Sequence, residues 1–399
     1  MISSLISSLQ RVGRFSPWDS DLPIREELFS VDRLEQHAET LAAAQVISAR
    51  SRRVPSLVRR LKDNAAILLE AHQTIAAALD EGRFITPAAE WLVDNYHVVA
   101  AQVREVQTDL PDGYYRLLPK LADGPFAGYP RVFGLAWAFI AHTDSHFDPA
   151  ALQRFVHAYQ RVQPLTIGEL WAIAITLRIV LVENLRRSAV RILAARAGRQ
   201  EADVLADRLL GTKDVEAESV STVLGPLEGQ MLPPALAVQL VQRLRDQDPR
   251  VTPALEWLEV HLTRWNTSSE IIVREEQQRQ GASNLTVRNI ITSMRLVSGV
   301  NWAELVESVS LVDAILGRDS QFQEMDFPTR NLYRSAIEEL SRGSQTPETD
   351  IAERVLELAA TSKSRSTTAS GTSPRRSDEP GFYLIADGRP ALESGIGFR

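Results

Sequence analysis

The sequence contains no cysteine, which excludes disulfide staples, thiolate nucleophiles and cysteine-ligated zinc, and nothing in it points to an oxidising compartment. A phosphate loop of the G-x-x-x-x-G-K type, a dinucleotide fingerprint, a G-x-S-x-G elbow and an H-E-x-x-H pair are all missing. No long alternating pattern or hairpin signal calls for a sheet. The net charge of -7 and the isoelectric point near 5.6 argue against general nucleic-acid binding. The first twenty residues have no apolar core bounded by basic residues and a cleavage site, so no secretory signal is expected and a cytoplasmic location is. Long uncharged runs are missing too. The most apolar stretch, Leu165 to Leu185, is interrupted by Glu169, Arg178 and Glu183 and falls short of the ~18 uncharged residues expected of a membrane span.

What is present is helix grammar over most of 399 residues, 44% of them hydrophobic and 24% charged. Apolar residues recur at three- and four-residue spacing in SLVRRLKDNAAILLEAHQTIAAALDEG, PAALQRFVHAYQRV, WAELVESVSLVDAIL and TRNLYRSAIEEL. Ser30 stands as a cap between Phe29 and Leu34. Thr166 and Glu169 form a capping box, with Leu165 against Leu170 as its hydrophobic staple. The fold class expected is all-α, a multi-helix bundle array. On the apolar helix Arg178 needs a carboxylate from another helix, because an unpaired buried charge costs about 3–5 kcal/mol.

Two helix openings nearly repeat: TPAAEWLVDNYH from Thr86 and TPALEWLEVHLT from Thr252. VENLRRS and IEELSRG, then EADVLADRLL and ETDIAERVLEL, follow in the same order. The expectation is a duplicated helical unit. The organisation is then a helical segment over 1–54, a first unit over 55–211, a connector over 212–231 and a second unit over 232–360. A disordered Ser/Thr-rich linker over 361–380 precedes a continuing, membrane-proximal segment over 381–399.

Candidate sites are few. His142, Asp144, His146 and Asp148 fall within seven residues, and two histidines at i and i+4 on one helical face could hold zinc or manganese. The competing reading is a polar turn, with Asp148 capping the next helix and Pro149 as its first residue. Tyr114, Tyr115 and Arg116 between two prolines suggest a sugar-stacking or interface loop, against a rigid loop packed on its neighbours. Trp91 and Trp257 read as core residues. No residue is assigned a catalytic role.

Six segments carry a resemblance: ELFSVDRLEQHA (Glu27 to Ala38), PAAEWLVDNYHVV (Pro87 to Val99), DLPDGYYRLLPKLADGP (from Asp109), PLTIGELWAIAITLRIVLVENLRR (Pro164 to Arg187), MDFPTRNLYRSAIEELSR (Met325 to Arg342) and YLIADGRPALESGIGFR (Tyr383 to Arg399). Together they resemble the amino-terminal region of bacterial cyclic β-1,2-glucan synthases. The resemblance implies a cytoplasmic helical scaffold or regulatory region at the inner membrane, whose partner is a membrane-embedded glycosyltransferase in the remainder of the synthase. UDP-glucose is the implied donor, a divalent metal is left open, and no cofactor is expected in this chain. The transferase's catalytic residues have no counterpart here. Alternatives are a free-standing helical adaptor for protein partners and a metal-dependent enzyme centred on His142 and His146. Arg389 and Arg399 are expected to face anionic lipid headgroups.

Overall fold

The chain is organised along one continuous 44-residue helix, Ile167–Leu210. Thr166 starts it with a capping box, its hydroxyl accepting from the Glu169 amide while the Glu169 carboxylate accepts from the Thr166 amide at 2.9 Å. No proline interrupts it, and it ends where Gly211 turns to φ 72°. The computed structural model describes residues 18, 20–48, 54–109, 112–211, 216–245, 252–318, 320–367 and 376–398. Among them are no strands, only isolated bridges pairing Ile47 with Leu121 and Lys120 with Pro130.

The α-helices run in the order α1 (Val31–Ala44), α2 (Leu57–Asp80), α3 (Pro87–Asp94), α4 (Tyr96–Asp109), α5 (Asp112–Leu117), α6 (Arg131–His142), α7 (Pro149–Gln160), α8 (Ile167–Leu210) and α9 (Val220–Leu224). They continue with α10 (Pro234–Leu244), α11 (Thr252–Arg264), α12 (Ser269–Gly299), α13 (Trp302–Val309), α14 (Leu311–Leu316), α15 (Phe327–Ser344), α16 (Glu348–Thr367), α17 (Pro380–Ile385) and α18 (Arg389–Ile396). The all-α expectation holds. Helices α2, α4, α6, α10 and α12 all pack on α8. No helix among the described residues is long and apolar enough to cross a membrane.

Three cores form along this spine. The largest gathers Leu61, Phe133, Phe139, Phe155, Leu177 and Leu181 with Ile290 and Met294 of α12. A second joins the end of α8 (Ala202, Ala206) to Leu240, Leu258 and Ile272. The third joins Ile167 at the start of α8 to Leu316, Ile337, Val355, Leu384 and Leu392. The second core thus takes residues from both sides of 211 and 232, and the cores cut across the units read from sequence.

The packing does not confirm the proposed duplication. Helix α3 packs on α12 and α2, whereas α11, the other Thr-Pro helix, packs on α10 and α9. VENLRRS and EADVLADRLL lie on one unbroken helix. IEELSRG and ETDIAERVLEL are divided between α15 and α16 by a break at Gln345, φ 63°, just before Pro347. A proline in one copy and none in the other gives the two segments different architectures.

The carboxyl end also differs from the expected tether and mobile segment. Residues 361–367 complete α16, Arg376–Asp378 form a 3-10 turn, and 368–375 lie outside the described residues. Beyond them Tyr383, Leu384 and Leu392 are buried in the third core. A Cβ at Gly343 would meet the Phe398 ring at 2.1 Å, and one at Gly381 would meet the Tyr333 hydroxyl at 2.1 Å, so a larger residue at either position would force the facing ring to shift. Arg389 pairs with Glu339 at 3.0 Å and Glu393 at 2.8 Å rather than facing outward alone. Apolar content sufficient for docking found its partner surface on α15 and α16.

Candidate functional site

The histidine-rich stretch closes α6 and opens α7. Asp144 and Ser145 adopt φ of 47° and 61°, so the chain leaves the helix after His142, and His142 and His146 do not share a helical face. His142 is buried and stacked on Phe29 with ring centroids 4.0 Å apart. Its Nδ1 lies 2.8 Å from the Glu27 carbonyl oxygen and its Nε2 lies 3.2 Å from the Glu26 carboxylate. Asp144 accepts from the Thr286 hydroxyl at 2.7 Å, while burial raises its pKa against the opposing pull of that bond and of Arg25 at 3.6 Å. His146 is exposed. Asp148 caps α7, accepting from the Ala150 amide at 3.0 Å, with Pro149 at the first helical position.

This turn is a clamp on α12. The Ser293 hydroxyl donates to the Ser145 carbonyl at 2.7 Å and accepts from the Phe147 amide at 2.9 Å. Asn289 donates to the Asp144 carbonyl at 3.0 Å. His142, Asp144 and Asp148 are thus directed to different neighbours, and His146 is exposed. Among the described residues no three His, Asp or Glu side chains converge as a metal set.

The tyrosine loop is divided similarly. Tyr115 packs against the first core with its hydroxyl enclosed and unpartnered, and burial pushes that hydroxyl's pKa up. Arg116 is exposed, and the Tyr114 side chain lies outside the described residues. Trp91 packs on the first core, and Trp257 stacks on His261 at 4.7 Å.

Buried charges brace the helices. Glu183 accepts from Arg60 Nε at 3.0 Å, Arg186 Nη2 at 2.8 Å, Arg187 Nε at 2.8 Å and Asn64 at 2.7 Å. Burial alone would raise its pKa, but the hydrogen bonds from Arg60, Arg187 and Arg186 reverse that and hold it at about 2. Arg187 also reaches the Leu22 carbonyl at 3.0 Å, Arg186 pairs with Asp21, and Asn184 accepts from the Ile24 amide at 2.6 Å. The amino-terminal strap is thereby tied to α8. Arg178 finds the interhelical carboxylate expected of it, Glu105 at 3.1 Å, with Gln102 beside it. Arg131 pairs with Glu169, and Arg334 with Asp313 and Glu307.

One feature had no signature in the sequence. A cavity of about 240 Å³ lies where α8, the amino end of α10, α12 and the amino end of α3 meet. Ile192, Pro233 and Pro234 give it apolar walls, and Arg191, Arg199 and Arg279 line it with Glu276. Glu276 is buried and already engaged, by Arg279 at 2.7 Å and Gln280 at 3.1 Å. Arg199 is half-buried, and desolvation lowers its pKa. Among the described residues neither Arg191 nor Arg199 has a hydrogen bond or ion pair. The only local hint was two arginines eight residues apart, about two turns, on one long helix; Arg279 comes from a remote segment.

Over 393 residues, 98% of its length, the chain is 36% identical to the cyclic beta-(1,2)-glucan synthase NdvB of Rhizobium meliloti (strain 1021). It spans 14% of that protein's length. The match accords with the resemblance to the amino-terminal region of such synthases carried by the six segments above. No family model matches the chain.

Proposed function

We propose that this chain forms the helical region of a cyclic β-1,2-glucan synthase and packs against the part of the enzyme that transfers glucose from UDP-glucose, at the cytoplasmic face of the inner membrane. The observation that carries the reading is the 36% identity sustained across 98% of the chain. The use of buried charge supports a bracing role. The internal charge clusters around Glu183, Arg131 and Arg334 join helices to one another. The transferring groups belong to the remainder of the synthase. UDP-glucose is then that partner's donor and not a ligand of these helices.

The test is a synthase gene deleted for this region, expressed in cells lacking the intact enzyme. Cyclic glucan should fall strongly although the truncated protein still reaches the membrane, and should be restored when this chain is supplied as a separate polypeptide. Undiminished glucan from the truncated enzyme overturns the proposal.

A further inference from the structure

The geometry points to the cavity between α8, α10, α12 and the start of α3 as a binding site for a phosphate monoester, with Arg199 and Arg191 as its anion-holding groups. A half-buried guanidinium with no hydrogen-bond acceptor of its own is relieved by an anion that accepts in the plane of its fork. Glu276 attracts Arg199 but does not bond it, its oxygens accepting from Arg279 and Gln280. Three arginines against one carboxylate leave the cavity with an excess of two positive charges.

The backbone adds to this field. Helix α10 opens with Pro233 and Pro234, and α3 opens at Thr86, whose hydroxyl caps no amide; neither helix has a side-chain cap. Ala235 and Ala88, just inside those two ends, both line the cavity. The positive ends of two helix dipoles therefore lie beside the arginines. Helix α8 comes against α10 so closely that a Cβ on Gly198 would sit 3.3 Å from the Leu236 amide nitrogen, which sets Arg199 at that amino end.

Size and lining fix the rest of the ligand. Phosphate suits paired guanidinium forks better than a single carboxylate does. Ile192 and the two prolines favour an ester with a compact, weakly polar body over bare phosphate.

The test titrates the folded chain with phenyl phosphate, inorganic phosphate, benzoate and phenol, by calorimetry and by the shift in thermal melting. Phenyl phosphate should bind with a Kd of about 1 mM or tighter, ahead of inorganic phosphate and benzoate, and phenol should not bind. Arg199→Gln should weaken phenyl phosphate by about ten-fold or more and Arg199→Lys by less. Arg208→Gln, outside the cavity, should change nothing. Removing a partly desolvated charge that has no hydrogen-bond acceptor should leave the melting temperature of Arg199→Gln at or above that of the unsubstituted chain. No saturable phenyl phosphate binding, equal binding of phenol, or unchanged affinity in Arg199→Gln overturns the assignment. A lowered melting temperature with an unchanged phosphate response would make Arg199 purely structural.

Discussion

Replacing Glu183 by Gln removes one negative charge from a site where three arginines and an asparagine converge, while keeping the size of the side chain. Its carboxyl is held at about 2 against an ordinary 4.5, which corresponds to about 3 kcal/mol. Removing one partner of a buried pair costs a similar ~3–5 kcal/mol, because Arg186 and Arg187 stay enclosed. The pKa is depressed on folding. The contribution is therefore fully present above the unfolded value of 4.5 and is lost as pH falls through about 2. Urea unfolding followed by circular dichroism near pH 7 should show Glu183→Gln less stable by about 3 kcal/mol, with the gap shrinking steadily between about pH 4.5 and 2. A variant as stable as the unsubstituted chain at neutral pH, or a gap that does not narrow in acid, would refute the view that this carboxylate holds the strap and α2 to α8.

Glu348 has the opposite sign. Burial, with Glu338 and Glu169 nearby, raises it to about 7 against the pull of the Ile167 amide, which donates to it at 2.7 Å, and of Arg342. A carboxyl raised on folding adds stability that is present below its unfolded 4.5 and lost as pH climbs to about 7. Glu348→Gln, which can still accept that amide, should gain up to about 3 kcal/mol above pH ~7 and nothing below ~4.5 in urea melts. Leu384→Ala should cost about 2–5 kcal/mol, and deleting Gly381 to Arg399 should lower the melting temperature of the third core; an unchanged melt would mean the segment is not part of it. The double substitution of His142 and His146 by Asn should leave zinc and manganese content, read by elemental analysis, the same as in the unsubstituted chain. With labelled UDP-glucose and acceptor glucan, the isolated chain should give no turnover above a boiled control.

Local rules were legible where their partners are local. The capping box at Thr166, the cap at Ser30 and the Asp148–Pro149 start each depend on residues within four positions, and the structure places them as read. Arg178 was legible in a weaker sense. Burial demanded a carboxylate, but only packing identifies Glu105. The repeat is not confirmed, because similar helix openings do not determine neighbours; one break at Gln345, before Pro347, separates what α8 keeps joined. The terminal segment announced its apolar surface but not the close approaches that seat it, Phe398 over Gly343 and its own Gly381 under Tyr333. The arginine cavity was illegible, since its walls come from segments separated by tens of residues and each arginine alone looks like an ordinary solvated charge.

Retention of the purified, labelled chain on membranes tests the central claim most directly. Membranes carrying the remainder of a cyclic β-1,2-glucan synthase, deleted for the matching region, should retain it saturably, and unlabelled chain should displace it. Membranes from cells without the synthase should not. Equal retention on both membranes, or none on either, would contradict the assignment of these helices to the synthase.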